Sequence, residues 1–201
     1  LTLLLPLSLM ISFLQILQRF DKIDKNIFTR FLKYSLPGIF VGLNIILIYR
    51  PNINLVVGII LCASICLKTK LLSQLIQRAV SKFDKLFIFL IGLIHGLSNL
   101  GGPLLVLRVS LEKFDKETYR TLTAAVYLLF AIIQLSIIAF QVGHVEISII
   151  YLLFTALIYF FTNRYIFVNM NEILYDRGIT FLMFLVALFL FTKYFNLSGG
   201  L

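Results

Sequence analysis

Residues 85–107 read KLFIFLIGLIHGLSNLGGPLLVL, an apolar run that the segment HGLSNLGGP interrupts near its middle. Gly101 and Gly102 lose more conformational freedom in a helix than other residues do. Pro103 lacks a backbone N–H and favours the first turn of a new helix. We therefore predict two helical pieces joined by a break. Backbone groups freed at membrane depth are costly in lipid, so such a break is typical of a segment that lines a cavity.

The remainder of the chain is equally apolar. The 201 residues are 60% hydrophobic and 13% charged, with a mean hydropathy of +1.00. This is more apolar surface than one water-exposed domain could bury. The apolar runs show no polar alternation, so they predict transmembrane helices rather than barrel strands. We predict an all-α, polytopic transmembrane helix bundle, with candidate spans at residues 1–17, 31–49, 53–67, 86–107, 121–142, 147–162 and 179–195.

The net charge of +9 is the difference between 18 Lys and Arg residues and nine Asp and Glu residues. The basic residues lie in short loops beside the apolar runs. This placement follows the positive-inside rule and predicts a lipid bilayer, not nucleic acid, as the partner. If residues 86–107 cross the membrane, the basic residues divide 11 to 7 between the two sides; if they re-enter, the division is 16 to 2. The second division favours re-entry, although the count alone leaves both topologies open. We expect a multi-pass protein of the inner cell membrane with cytoplasmic basic loops.

A weak internal repeat occurs at an offset of 119 to 120 residues. It predicts one membrane domain made of two halves, residues 1–83 and 84–201, with the broken segment 85–109 opening the second. A re-entrant segment followed by three crossings gives inverted halves, as in many secondary transporters. The counterpart of the broken segment would lie upstream of Leu1, so we expect the N-terminus to be incomplete. The matched positions are Thr2 and Thr121, Gln15 and Gln134, Ile27 and Ile147, Phe31 and Tyr151, Leu32 and Leu152, and Gly58 and Gly178.

Two other segments carry predictions. Residues 68–85 place apolar side chains at helical spacing between basic and amide ones, which predicts an amphipathic helix on the cytoplasmic interface. Cys62 and Cys66 lie in an apolar span without polar companions, so neither a disulfide framework nor a zinc site follows. We expect no metal and no cofactor.

The break itself is the candidate anion site. A half-helix that begins at Pro103 leaves the N–H groups of Leu104 and Leu105 without intrahelical partners, and its dipole adds positive character there. An oxyanion is expected at this end without a buried Lys or Arg. Gly101 and Gly102 allow close approach of the backbone.

His95 is the only titratable side chain deep within a span. A neutral histidine bonded between helices and a group that couples protons or contacts ligand both remain open. Arg108 and Arg120 flank the segment as determinants of topology, and Arg108 is also placed to guide an anion. The predicted substrate-binding residues are His95, Ser98, Asn99, Gly101, Gly102, Pro103, Gln15 and Gln134.

Acidic residues are missing from the middle of every span, which argues against a carboxylate proton relay and an aspartyl intramembrane protease. His95 and His144 are isolated, and no Ser-His-Asp or Cys-His spacing occurs. We therefore predict no catalytic residue and no enzyme. The alternatives kept open are a non-transporting membrane subunit of a larger complex and a membrane-embedded enzyme. The nine acidic residues are Asp21, Asp24, Asp84, Glu112, Asp115, Glu117, Glu146, Glu172 and Asp176.

The segment IGLIHGLSNLGGPLLVL at 91–107 resembles the glycine-rich segment that opens the second half of TauE/SafE sulfite-exporter-like permeases. YRTLTAAVYLLF at 119–130 and MNEILYDRGITFLMFLVALFLF at 170–191 are similar to later parts of that family. The first-half glycine motif of the family is not present. The resemblance implies a permease for a small sulfur-containing anion such as sulfite or an organosulfonate, working by alternating access around the broken segment. Substrate identity, direction, coupling ion and a homo-oligomeric state stay open.

Overall fold

A computed structural model describes residues 4–49, 52–67, 80, 82–112, 114–142 and 148–198. Every element among them is helical, which confirms the predicted all-α class. The amphipathic helix predicted at 68–85 falls mainly on residues 68–79 and 81, which lie outside the described part. The helices are α1 Leu4–Gln18, α2 Lys25–Tyr49, α3 Asn54–Leu67, α4 Asp84–Ser98, α5 Gly102–Ser110, α6 Lys116–Val142, α7 Ile149–Thr162 and α8 Glu172–Ser198, with short 3-10 and π turns at Phe20–Lys22 and Asn163–Phe167.

Four of these segments are long and apolar enough to cross a membrane: Lys25–Tyr49, Lys116–Phe140, Ile149–Phe167 and Ile173–Asn196. Two shorter apolar helices, Leu5–Gln18 and Asn54–Cys66, accompany them. Lengths of 19 to 25 residues match the thickness of a bilayer core. The described chain therefore fits a helical membrane bundle.

Helices α2, α6 and α8 begin five to seven residues before the predicted spans. Charged residues in the first turns lower the hydropathy without breaking the helix, so the apolar runs underestimate helix length. Each start is fixed by an acidic or amide side chain that accepts a hydrogen bond from a free backbone N–H. Asp24 accepts from Ile27 at 2.9 Å, and Asn171 accepts from Leu174 at 2.8 Å. Asp115 caps α6 in the same way.

The tightest helix pair is α2 with α4. Gly38 and Gly42 of α2 face Gly92 and Gly96 of α4, and a Cβ atom on any of the four would collide with backbone atoms of the other helix. Paired glycines four residues apart let two helix backbones approach closely, as in membrane helix dimers. This contact anchors α4 inside the bundle.

Several connections meet at one end of the bundle. Lys22 lies 4.0 Å from Asp115, and Arg30 lies 3.1 Å from Asp84. The Nζ atom of Lys116 donates to the carbonyl oxygens of Phe167 and Met170 at 3.0 and 2.7 Å. These contacts join the connections at residues 19–24, 82–84, 111–115 and 163–171, and we call this end of the molecule the basic end.

Helices α4 and α5 form a hairpin. The Nε atom of Arg108, near the end of α5, lies 2.6 Å from an oxygen of Asp84 at the start of α4. Both ends of residues 84–110 are therefore at the basic end. The turn between the two helices, residues 99–101, lies inside the bundle, where Leu100 packs against a cluster formed by α3 and α8. We call these three residues the hairpin tip.

Candidate functional site

The conformation of the hairpin tip follows from Ser98 and Asn99. Asn99 has φ 59°, and its N–H donates to the carbonyl of His95 at 2.7 Å, which ends α4 as a left-handed cap. The Ser98 hydroxyl donates to Ile94 at 2.7 Å and accepts from the N–H of Leu100 at 3.1 Å. The hydroxyl predicted to bind anion is thus occupied in holding the turn, whereas the Asn99 side chain is half-buried at the tip.

The N-terminus of α5 differs from the prediction. The N–H of Leu105 donates to the carbonyl of Gly101 at 3.1 Å, so the expectation that Leu105 lacks an intrahelical partner is wrong. Gly101 already has right-handed helical φ and ψ, and its carbonyl therefore starts the hydrogen-bond ladder. Gly102 lies directly against the Tyr127 hydroxyl, because a Cβ at Gly102 would overlap it. The start of α5 is covered by this side chain.

His95 and Gln134 are buried together behind the tip, with 2% and 0% of their surfaces exposed. The Nε2 atom of Gln134 donates to the backbone carbonyl of His95 at 3.1 Å, which gives this oxygen a second donor besides the N–H of Asn99. The His95 ring packs against Phe130 and Tyr127, with centroids 4.7 and 5.7 Å away. Nδ1 of His95 and Oε1 of Gln134 have no hydrogen-bond partner among the described residues. This pair supports the hairpin from behind.

A cavity of about 700 Å³, open on one side, lies between α1, α7 and the hairpin tip, and we call it the large cavity. Gln15 and Asn99 line it, together with Leu100. Gly102 and Pro103 line a different cavity of about 190 Å³, which is almost entirely apolar and lies on the other side of Leu100. The eight predicted site residues are therefore distributed: two face the large cavity, two face the small one, and the others hold the hairpin.

Arg120 is the charged residue in the wall of the large cavity, and it is only 9% exposed. It donates to Oδ1 of Asn163 at 2.6 Å and to the hydroxyl of Tyr159 at 3.1 Å. Its guanidinium stacks on the ring of Phe167, 3.8 Å from the centroid. Asn163 and Tyr159 are tied in turn to Oε1 of Gln18 at the end of α1. Three helices thus fix the orientation of one guanidinium.

All contacts of Arg120 with hydrogen-bond acceptors are to neutral groups. Among the residues that the structure describes, no carboxylate forms an ion pair with it, and Glu117, one turn earlier on α6, forms none either. The described lining of the large cavity contains no acidic residue. A buried charge without a counter-ion is costly, so this site is chemically suited to an anion. The sequence suggested only a topological role for Arg120.

Arg108 is the opposite case. It is 5% exposed and contacts two carboxylates, Asp84 at 2.6 Å and Glu112 at 2.7 Å. Its positive charge is therefore compensated within the hairpin. For this reason the predicted role of Arg108 in guiding an anion does not fit the geometry. Arg108 closes the base of the hairpin.

In the described ranges, no group of three or more His, Cys, Asp or Glu side chains is placed to hold a metal ion. Comparisons with protein-family models, with curated proteins and with solved structures found no match for this chain. The assignment of a function therefore depends on the hairpin and the cavity themselves.

Proposed function

We propose that this chain is a secondary transporter for a small anion, with alternating access around the hairpin of α4 and α5. The observation that carries the proposal is that both ends of the hairpin lie at the basic end while its tip borders the large cavity, which is open on one side. Non-helical backbone inside a membrane is stable only where protein or water surrounds it. A cavity at such a tip is a typical substrate site of transporters with broken helices.

The contacts at the basic end support a re-entrant hairpin. If the hairpin enters and leaves the membrane on one side, 16 of the 18 Lys and Arg residues share that side. The ion pairs and hydrogen bonds among the connections bring four of these basic loops together. The positive-inside rule then supports a cytoplasmic position for the basic end.

The helix contacts also support two inverted halves. A two-fold axis that exchanges α1 with α6 and α2 with α7 would convert the contact of α2 with α6 into a contact of α7 with α1, and both contacts occur. Such an axis would also keep α1 against α6 and α3 against α8, as observed. Within the described chain, α2 carries a hairpin and α7 does not. The equivalent glutamines differ accordingly: Gln134 bonds the hairpin, whereas Gln15 faces the open cavity.

Two separate observations support the proposed chemistry of the substrate. Arg120 supports an anion, because it is buried in the cavity wall and its described hydrogen bonds go to neutral groups. A sulfur-containing anion, such as sulfite or an organosulfonate, is proposed only from the resemblance to TauE/SafE permeases. The fold does not select among such substrates.

The test is uptake of labelled sulfite, sulfate and a small alkanesulfonate by liposomes that contain the purified protein, under pH and sodium gradients. Asn99→Gly is the matched variant, because glycine keeps the left-handed backbone and removes only the side chain at the tip. We expect saturable uptake of at least one anion, reduced about tenfold by Asn99→Gly and unchanged by Ser136→Ala on the outer face of α6. Flux that does not saturate indicates a channel. No uptake of any anion contradicts transport and favours the non-transporting membrane subunit.

A further inference from the structure

We infer that Arg120 binds the anion, and that the ligand is an organic oxyanion with an apolar body rather than an inorganic ion. This inference rests on the proposed transport function and adds the position and chemical class of the ligand. The proposed anion site is therefore in the wall of the large cavity and not at the N-terminus of α5, which Tyr127 covers.

The guanidinium of Arg120 has donors left for a ligand. An arginine side chain carries five N–H groups in one plane, and the two hydrogen bonds of Arg120 to protein use two of them. Stacking on Phe167 and bonds to Asn163 and Tyr159 hold that plane in one orientation. A fixed, planar donor set suits a carboxylate, sulfonate or phosphate group, because two parallel hydrogen bonds can form.

The electrostatic surroundings favour negative charge at the same point. The Nζ atom of Lys116 lies 4.4 Å from the centroid of the Phe167 ring, on which Arg120 also stacks, and its hydrogen bonds go to backbone carbonyls. Two cations therefore surround one aromatic ring, and the described hydrogen bonds of both go to neutral groups. Glu117 and Asp176 lie in the same region, near Tyr175. An anionic ligand in the cavity would place a negative charge in direct contact with Arg120.

The size and lining of the cavity point to an organic ligand. A volume of about 700 Å³ is within the range of sites that hold drug-sized organic molecules and far exceeds a single inorganic oxyanion. Leu7, Ile11 and Ile158 form much of the wall beyond Arg120. The wall along α1 from Leu7 to Gln15 is about 12 Å long. The ligand therefore places its oxyanion on Arg120 and an apolar body along α1.

The decisive variant is Asn163→Asp. It places a carboxylate where an amide oxygen now lies 2.6 Å from Arg120, and so gives Arg120 the kind of partner that Arg108 has. Asn169→Asp is the matched control, because Asn169 is exposed near the same end, the charge change is identical, and the residue does not line the cavity. Binding of hexanesulfonate is measured by calorimetry on protein in nanodiscs of neutral lipid, with inorganic sulfate at equal ionic strength as the comparison.

We expect hexanesulfonate to bind at least tenfold more tightly than sulfate, and Asn163→Asp to weaken it at least tenfold without lowering the melting temperature. Unchanged binding in Asn163→Asp overturns the role of Arg120, even if uptake by liposomes establishes transport. Equal affinity for sulfate overturns the organic ligand. Displacement of hexanesulfonate by added phosphatidylglycerol assigns the same chemistry to a lipid and overturns a soluble substrate. A failure of transport itself appears separately, as absent uptake in the liposome assay.

Discussion

Two buried arginines, Arg108 in the hairpin and Arg120 on α6, have opposite surroundings. Arg108 contacts Asp84 and Glu112, and it joins the end of α5 to the start of α4. Arg120 contacts an amide, a hydroxyl and an aromatic ring, and it faces a cavity. The same residue type, buried to a similar degree, is thus part of a closed structural contact in one place and an available binding group in the other. The presence of carboxylates, rather than burial, separates the two.

The helices around the two arginines also differ, in how closely they pack. On the hairpin side, α2 and α4 pack backbone against backbone through four glycines. On the cavity side, Tyr159 is the only buried residue of α7, and most of the other large apolar side chains of this helix are exposed. The hairpin side is therefore a rigid support, and the cavity side has the open space that a ligand or a moving element requires.

The largest loss of stability is expected when a side chain is placed in the glycine contact between α2 and α4. Gly92→Leu would push its Cβ into the backbone of Ser35 on α2, and such overpacking costs about 3 kcal/mol. Gly178→Leu on α8 is the control, since no atom lies within 4 Å of a Cβ there. Size-exclusion profiles after heating should show loss of folded protein for Gly92→Leu only. Equal behaviour of the two variants would mean that α2 and α4 are not in close contact.

A smaller effect is expected when Arg108 loses one of its two carboxylates. Asp84→Asn leaves Glu112 as the only counter-ion, and we expect a loss of about 2 kcal/mol, below the usual cost of breaking a fully buried pair. Asp21→Asn makes the same charge change at an exposed position of the basic end. The two variants are compared by melting temperature in detergent. If Asp84→Asn melts no earlier than Asp21→Asn, Arg108 does not hold the hairpin closed.

The smallest change in stability is expected at Asp115, which caps the N-terminus of α6. Hydrogen bonds from the Thr118 hydroxyl and backbone N–H lower the pKa of the Asp115 carboxyl. A depressed pKa stabilises the folded state above the unfolded value of about 4, and this contribution is lost as the pH falls through the folded pKa. Asp115→Asn keeps the cap and removes the titration. Melting temperatures measured between about pH 3 and pH 5 should fall more steeply for the wild type, and parallel curves would count against the cap.

Much of the fold can be predicted from local patterns. The apolar runs predict the helices, and the segment HGLSNLGGP predicts an interruption, because glycine and proline act on the backbone of their own segment. The residue that ends α4 is nevertheless Asn99, with φ 59°, whereas Gly101 already has helical φ and ψ. Helix starts such as Lys25 were predicted too late, because hydropathy does not register a capped, charged first turn. The Asx residues before α2, α6 and α8 were the available signal.

The candidate site depends on contacts that spacing does not reveal. The glycines of α2 and α4 are visible as two pairs four residues apart, but their pairing depends on how distant helices pack. Likewise, Arg108 and Arg120 have similar neighbours in the sequence, since each has an acidic residue three or four positions away. Only the packing shows that Glu112 reaches Arg108 whereas Glu117 forms no ion pair with Arg120.

The central claim is that residues 84–110 enter and leave the membrane on one side, and labelling of single cysteines tests it most directly. Cys62 and Cys66 are first replaced by serine. Single cysteines then replace Lys82 and Asp115, which are exposed in the connections before and after the hairpin, and Asn52, which is exposed between α2 and α3. With a membrane-impermeant maleimide, we predict that positions 82 and 115 react from the same side and position 52 from the other. Reaction of 82 and 115 from opposite sides would contradict the hairpin, the inverted halves and the proposed route of the anion.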